Sequence, residues 1–114
     1  MAIPSGSGTE VLKVYRKDGL SSEQTFIDGA ANHIYTVLSI ILTEVGNVNE
    51  TVDVYIESGS SVITYLLKAQ PIGAYQTFAF NDKFVMSGDM DLKGLVTGGG
   101  NVDVVCSYID QDWT

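Results

Sequence analysis

Apolar positions along the chain fall into short runs divided by polar or glycine-bearing segments. The longest run is Ile34–Thr43, I-Y-T-V-L-S-I-I-L-T. Two periods compete there. Ile34, Val37, Leu38, Ile41, Leu42 and Val45 keep the i, i+3, i+4, i+7 spacing of an amphipathic helix, with Gly46 where a left-handed cap would sit. Ile34, Thr36, Val37, Ile40, Ile41, Thr43 and Val45 are β-branched, however, and such side chains lose rotamer freedom in a helix and fit a pleated surface. The segment therefore reads as a strand. Both faces are apolar from Val37 to Leu42, as in a central strand covered on both sides. At about 3.3 Å per residue it is long for one straight strand of a small domain, which predicts a bulge or bend near Ser39.

Shorter runs follow the same logic. Glu10–Arg16 alternates as a first strand, and Lys17-Asp18-Gly19 reads as a turn. A short strand is expected around Thr25-Phe26-Ile27. In Thr51–Glu57 the residues Val52, Val54 and Ile56 face one way and Asp53, Tyr55 and Glu57 the other, which puts Tyr55 outside. Ser58-Gly59-Ser60 is a hairpin candidate leading to Ser61–Lys68, apolar on both faces at Ile63, Tyr65, Leu66 and Leu67. Pro71 and Gly73 should break the chain. Strands are then expected over Gln76–Phe80, Lys83–Met86, Leu92–Val96 and Val102–Ile109, with Gly98-Gly99-Gly100-Asn101 as the last turn. Val52-Asp53-Val54-Tyr55 and Val102-Asp103-Val104-Val105 echo one another, as two strands needing the same half-exposed alternation. No segment makes a convincing helix.

Strands at this spacing, with turn signals between them, predict an all-β fold: a single-domain antiparallel β-sandwich or jelly-roll-like barrel of about eight strands. The sandwich is expected over residues 9–109, with an N-terminal arm at 1–8 and a C-terminal tail at 110–114. At 114 residues, 45% hydrophobic, the chain can bury a core of its own.

Charge and cysteine content narrow the function classes. Fourteen acidic against six basic residues give a net charge of −8, which disfavours nucleic acid and anionic lipid as partners. Lys13, Arg16 and Lys17 form the one basic cluster, read as a solvated strand end. No run approaches the roughly 18 apolar residues of a membrane span. One cysteine allows no internal disulfide, and the opening M-A-I-P-S-G-S-G lacks the regions of a signal peptide. Both suggest a chain made in a reducing cytoplasm.

Candidate chemistry is sparse. The single histidine, His33, has no second histidine or cysteine near it in sequence and reads as structural, since acid–base work needs a placed partner. Cys106 is in phase with Val102, Val104 and Tyr108 and should point inward as a small hydrophobe. Asp89-x-Asp91 and Asp110-x-Asp112 resemble metal pairs but lack a calcium loop, so turn-forming and solvating roles fit them better. Gly98-Gly99-Gly100 precedes a strand and lacks the lysine and helix of a phosphate loop. No catalytic, metal or cofactor-binding residues are assigned, and an enzyme is not expected. Six tyrosines and Trp113 suit half-buried contact surfaces. Ile3 and Pro4 in the arm, Tyr55, and Trp113 near the end are the candidate partner-binding residues. Trp113 could equally fold back on its own domain. Surface tyrosines also leave open a carbohydrate-binding module.

Y-T-V-L-S-I, V-D-V-Y-I, Y-L-L-K-A-Q-P-I-G-A, S-G-D and G-N-V-D-V-V-C-S-Y-I together resemble small virion structural proteins of tailed bacteriophages. The opening M-A-I-P-S-G-S-G-T-E-V-L and the ending S-Y-I-D-Q-D-W are similar to proteins of short-tailed marine phages. Residues 16–32 depart from the pattern. The resemblance implies a capsid decoration or cement protein, a β-sandwich assembled in the host cytoplasm and carried on the virion. It would bind across major capsid protein subunits as a homo-oligomer, typically a trimer, with arm and tail as latches. A neck or tail component of the same virion is the alternative it leaves.

Overall fold

A computed structural model describes residues 9–59, 62–97 and 101–113. The arm at 1–8, with Ile3 and Pro4, lies outside the described residues, as do Ser60 and the glycines 98–100. Nine strands and no helix occur among the described residues: β1 (Thr9–Leu20), β2 (Gln24–Ile27), β3 (His33–Glu44), β4 (Glu50–Ser58), β5 (Ile63–Ile72), β6 (Thr77–Phe80), β7 (Phe84–Ser87), β8 (Met90–Thr97) and β9 (Val102–Asp112). They form two antiparallel sheets. The first runs β1-β9-β3-β6, with β7 also on β3, and the second runs β2-β8-β4-β5. The expected β-sandwich is the fold observed.

β3 is the spine of the first sheet. One flank is bonded to β9 along its whole length, and the other passes from β7 over Ile34–Val37 to β6 over Ile40–Thr43. The register with β9 shifts between Val37 and Ser39, where a bulge was expected. The bulge swaps the parity of the strand. Tyr35 and Val37 point into the core before it, and Ile40 and Leu42 after it. Burying each such side chain is worth about 1.5–3 kcal/mol, so a one-residue slip that turned Ile40 and Leu42 outward would cost several, and the register is fixed. Only one face of β3 packs into the core, however. On the other, Ile34 is buried near the strand's start but Ile41 is exposed, with no layer over it among the described residues.

The two sheets close on Leu20, Phe26, Val52, Val54, Leu67, Leu92, Val96, Val102, Val104 and Cys106, among others. Gly94, mid-strand in β8, lets the Phe26 ring lie flat over the backbone: a Cβ there would stand 2.5 Å from Phe26 Cζ.

Three expectations need correction. Lys17-Asp18-Gly19 is no turn, since β1 continues to Leu20. Its irregularity is absorbed as a register shift, with Gly19 at φ 68° and its N–H donated to Asp103 Oδ1 at 3.0 Å. Pro71 does not end its strand, because β5 is a sheet edge, where a missing N–H costs no ladder bond. β9 runs on to Asp112, so residues 110–112 are rungs paired with both β1 and β3.

Candidate functional site

The outer face of the first sheet is apolar. Registers place Leu12, Ile109, Thr36 and Val85 in one cross-strand row. Val14, Ser107 and Ser39 make the next, and Arg16, Val105, Ile41 and Ala79 a third. Leu12 is 73% exposed, Val85 63% and Val14 61%, and Val105 and Ile41 are also open to solvent. Exposed apolar side chains grouped on one face in this way are a feature of contact surfaces. Local alternation hides them, because the chain positions that build the rows lie on five different strands.

The second sheet ties up more of its exterior within the chain, although Ile63 and Tyr65 on its edge strand β5 remain exposed. Lys93 on β8 reaches Glu57 at 2.5 Å and Glu23 at 3.7 Å, and the Glu57 hydrogen bond raises its pKa. Lys68 lies 4.5 Å over the Tyr65 ring and 3.4 Å from Asp53. Tyr55 sits on this face, as its phase predicts, but is only 3% exposed. The directly opposed Tyr65 lies against it, with ring centroids 5.4 Å apart. Tyr55 therefore lies on the predicted face but is covered by its cross-strand neighbour rather than standing free. The same burial denies it a sugar to stack on.

At one pole the ends of β1, β3 and β9 bring charged groups together. Asp110 receives Lys13 Nζ on Oδ2 at 2.9 Å and meets His33 Nδ1 through Oδ1 at 2.7 Å, and Asp112 lies 3.7 Å from His33 Nε2. Burial alone would raise the Asp110 carboxyl, but hydrogen bonds from Lys13 and His33 outweigh it and hold its pKa below the usual range. Tyr35 stacks on the His33 ring at 5.8 Å, accepts the Ala30 N–H, and has Tyr108 at its edge. His33 thus has the partners its local sequence does not show, one of them 77 residues away. Asp110-x-Asp112 is neither a turn nor a metal pair but the carboxylate half of this cluster. Cys106 pairs with Ile40 whereas His33 pairs with Asp112, six residues or about 20 Å along β9. No Cys–His couple forms. Cys106 is fully buried, which pushes its thiol up to about 12 and leaves it a poor nucleophile. The Trp113 N–H donates to Asn32 O at 2.9 Å, so the residue lies against the loop before β3, with its indole Nε1 buried and unpartnered among the described residues.

The opposite pole holds a carboxyl pair that sequence reasoning missed. Glu44, fully buried at the end of β3, accepts the Gly46 N–H on Oε1 at 2.8 Å. Its buried Oε2 has no hydrogen-bond partner among the described residues. Burial first, and then the neighbouring Glu50 carboxyl, raise the Glu44 pKa. The signal available was two glutamates flanking a turn at the end of the most apolar strand.

The remaining acidic pair does turn work. Asp91 accepts the Gly29 N–H at 2.8 Å and Asp89 the Ser87 hydroxyl at 2.9 Å. No cluster of three or more His, Cys, Asp or Glu that could hold a metal occurs among the described residues.

No family model and no curated protein matches the chain. Solved structures do. A chain of the T13 infectious bursal disease virus particle matches with TM-score 0.57 and 9% identity over 95% of this chain and 32% of its own. One from the Gx strain of that virus gives TM-score 0.52 and 9% identity over 90% and 33%. The chain thus spans about a third of the viral chains it matches. A subunit of Bacillus endospore appendages, described as disulfide-linked pili, matches with TM-score 0.59 and 15% identity over 100% of this chain and 97% of its own. These likenesses show a shared sandwich fold.

Proposed function

We propose that this chain is a virion structural protein that decorates or cements a capsid, binding across major capsid protein subunits as a homo-oligomer, without catalysis. The carrying observation is the exposed apolar side chains on the outer face of β1, β9, β3 and β7, with Leu12 and Val14 at one edge, Val85 at the other and Val105 and Ile41 between, which an isolated domain of net charge −8 has no reason to expose. The fold likeness to chains of a virus particle supports a shell as the setting, and the sequence patterns similar to tailed-phage proteins support a virion assembled in a host cytoplasm. The acidic surface supports a protein partner over nucleic acid or membrane. The histidine and cysteine sit apart, one ion-paired and one sealed, which supports a mechanical role over an enzymatic one.

Quantitative mass spectrometry of purified particles tests this. Copy numbers comparable to the shell subunits are expected, with loss of capsid binding on Leu12→Asp or Val85→Asp. A handful of copies per particle would move the chain to the neck or tail, and failure to bind any shell would reject the reading.

A second reading has one observation in its favour: the pilus subunit and this chain cover each other almost end to end. A fibre-forming subunit would here be joined without disulfides, because the single Cys106 is inside the core. Electron microscopy of the concentrated protein separates the two, with fibres supporting the second.

A further inference from the structure

The two sheets offer four edges, and three are blunted. β2, β6 and β7 are four residues each. β5 is interrupted by two register shifts, by Ala69 at φ 52°, and by Pro71. These are the usual defences against edge-to-edge pairing. β1 is neither short nor bent over Thr9–Lys17, where it pairs with β9 in unbroken register and has no partner on its other side among the described residues; its one edge guard of another kind, the inward charge of Lys13, is bonded to Asp110. From Thr9 to Val14 every side chain is exposed on both faces of the sheet. The strand also carries three of the six basic residues of the chain, Lys13, Arg16 and Lys17, with Glu10 at its other end.

We infer that β1 is the binding edge for a second copy of this chain, the two β1 strands pairing antiparallel about a two-fold axis at Lys13. An isologous contact needs a strand complementary to its own reverse, and the charge pattern meets that condition in one register. With Lys13 on the axis, Glu10 faces Arg16 of the second copy and Leu12 faces Val14, each twice by symmetry. All four lie on the outer face, so the apolar rows of the two copies join into one. Shifting the register two residues toward the strand end would set Glu10 against Asp18. Shifting it two residues the other way would cost both ion pairs. The two Lys13 side chains that meet at the axis are on the inner face, each already compensated by Asp110 of its own chain at 2.9 Å. The other edges are too short or too bent to receive nine residues, so β1 is matched best by itself. This pairing stands whether or not the chain serves in a virion.

Sedimentation velocity and light scattering on the full-length chain, over a range of concentrations, test the pairing. A dimer of the 12.3 kDa chain is expected. Glu10→Arg and Arg16→Glu should each raise the dissociation constant about tenfold, since two cross-strand attractions become repulsions. The double variant Glu10→Arg/Arg16→Glu should restore it, with unchanged far-ultraviolet circular dichroism in all three. Amide exchange over Thr9–Lys17 should slow as the wild-type concentration rises, a readout that needs no variant. A monomer at every concentration would overturn the inference. So would a trimer, or a dimer indifferent to the charge swap.

Discussion

The two sheets share one core yet differ on their outsides. On the second sheet, several outward groups are occupied within the chain, Lys93 by Glu57 and Glu23, Asp53 by Lys68 and the Ala69 N–H, Tyr55 by Tyr65, and the exposed apolar side chains Ile63 and Tyr65 are confined to the edge strand β5. On the first sheet, Leu12, Val14, Val85, Val105 and Ile41 are exposed, with nothing laid over them among the described residues. A surface that satisfies itself contributes to folding, and one that does not is available for association. Aromatic content alone would not have drawn this contrast, since of the facing tyrosines on the second sheet Tyr55 is buried and Tyr65 is exposed.

The largest test of this contrast is Tyr55→Ala. Removing a buried aromatic ring should cost about 3 kcal/mol or more in urea unfolding, and a cost under about 0.5 kcal/mol would place Tyr55 among surface residues after all. Next is Asp110→Asn, which weakens two hydrogen bonds from cationic or imidazole partners and should cost about 1.5–3 kcal/mol. The Asp110 carboxyl is held below its ordinary 3.8, so its contribution is present above that pH and is lost as pH falls through the native value. The acid limb of a melting-temperature profile should flatten in the variant.

Glu44 has the opposite sign. Its pKa is raised above 4.5, so the stability it lends is complete below that pH and is lost as pH rises through the native value. Glu44→Gln should therefore melt higher than wild type by a margin that widens toward neutral pH, and a constant margin would rule out ionisation of this pair. The smallest effect on stability is expected at Leu12→Ser and Val85→Ser, within about 0.5 kcal/mol of wild type, with loss of partner binding as the only large consequence. Substantial destabilisation there would mean that the first sheet's exterior belongs to the fold.

Sequence pattern carried the strands well because burial in a sandwich imposes period two over most of them. The bulge at Ser39 was legible from length and from the apolar residues on both sides of it. The V-D-V echo was also visible, but its purpose was not. Asp53 and Asp103 each accept an N–H from a left-handed residue in the adjacent strand, Ala69 at 2.7 Å and Gly19 at 3.0 Å, so both aspartates secure irregularities no local window contains. Tyr55 was misjudged because alternation gives the face and not what lies across it. His33 was underestimated for a related reason: Asp110 and Asp112 reach it only through the pairing of β9 with β3.

The pairing of β9 with β1 has a further consequence. Thr9 and Asp112 stand opposite one another, so β1 begins and β9 ends side by side at a single pole. A cargo, tag or reporter spliced directly onto either of these strand ends would be mounted at that pole, the far end of the sandwich from Glu44, making the fold a one-sided mount for display.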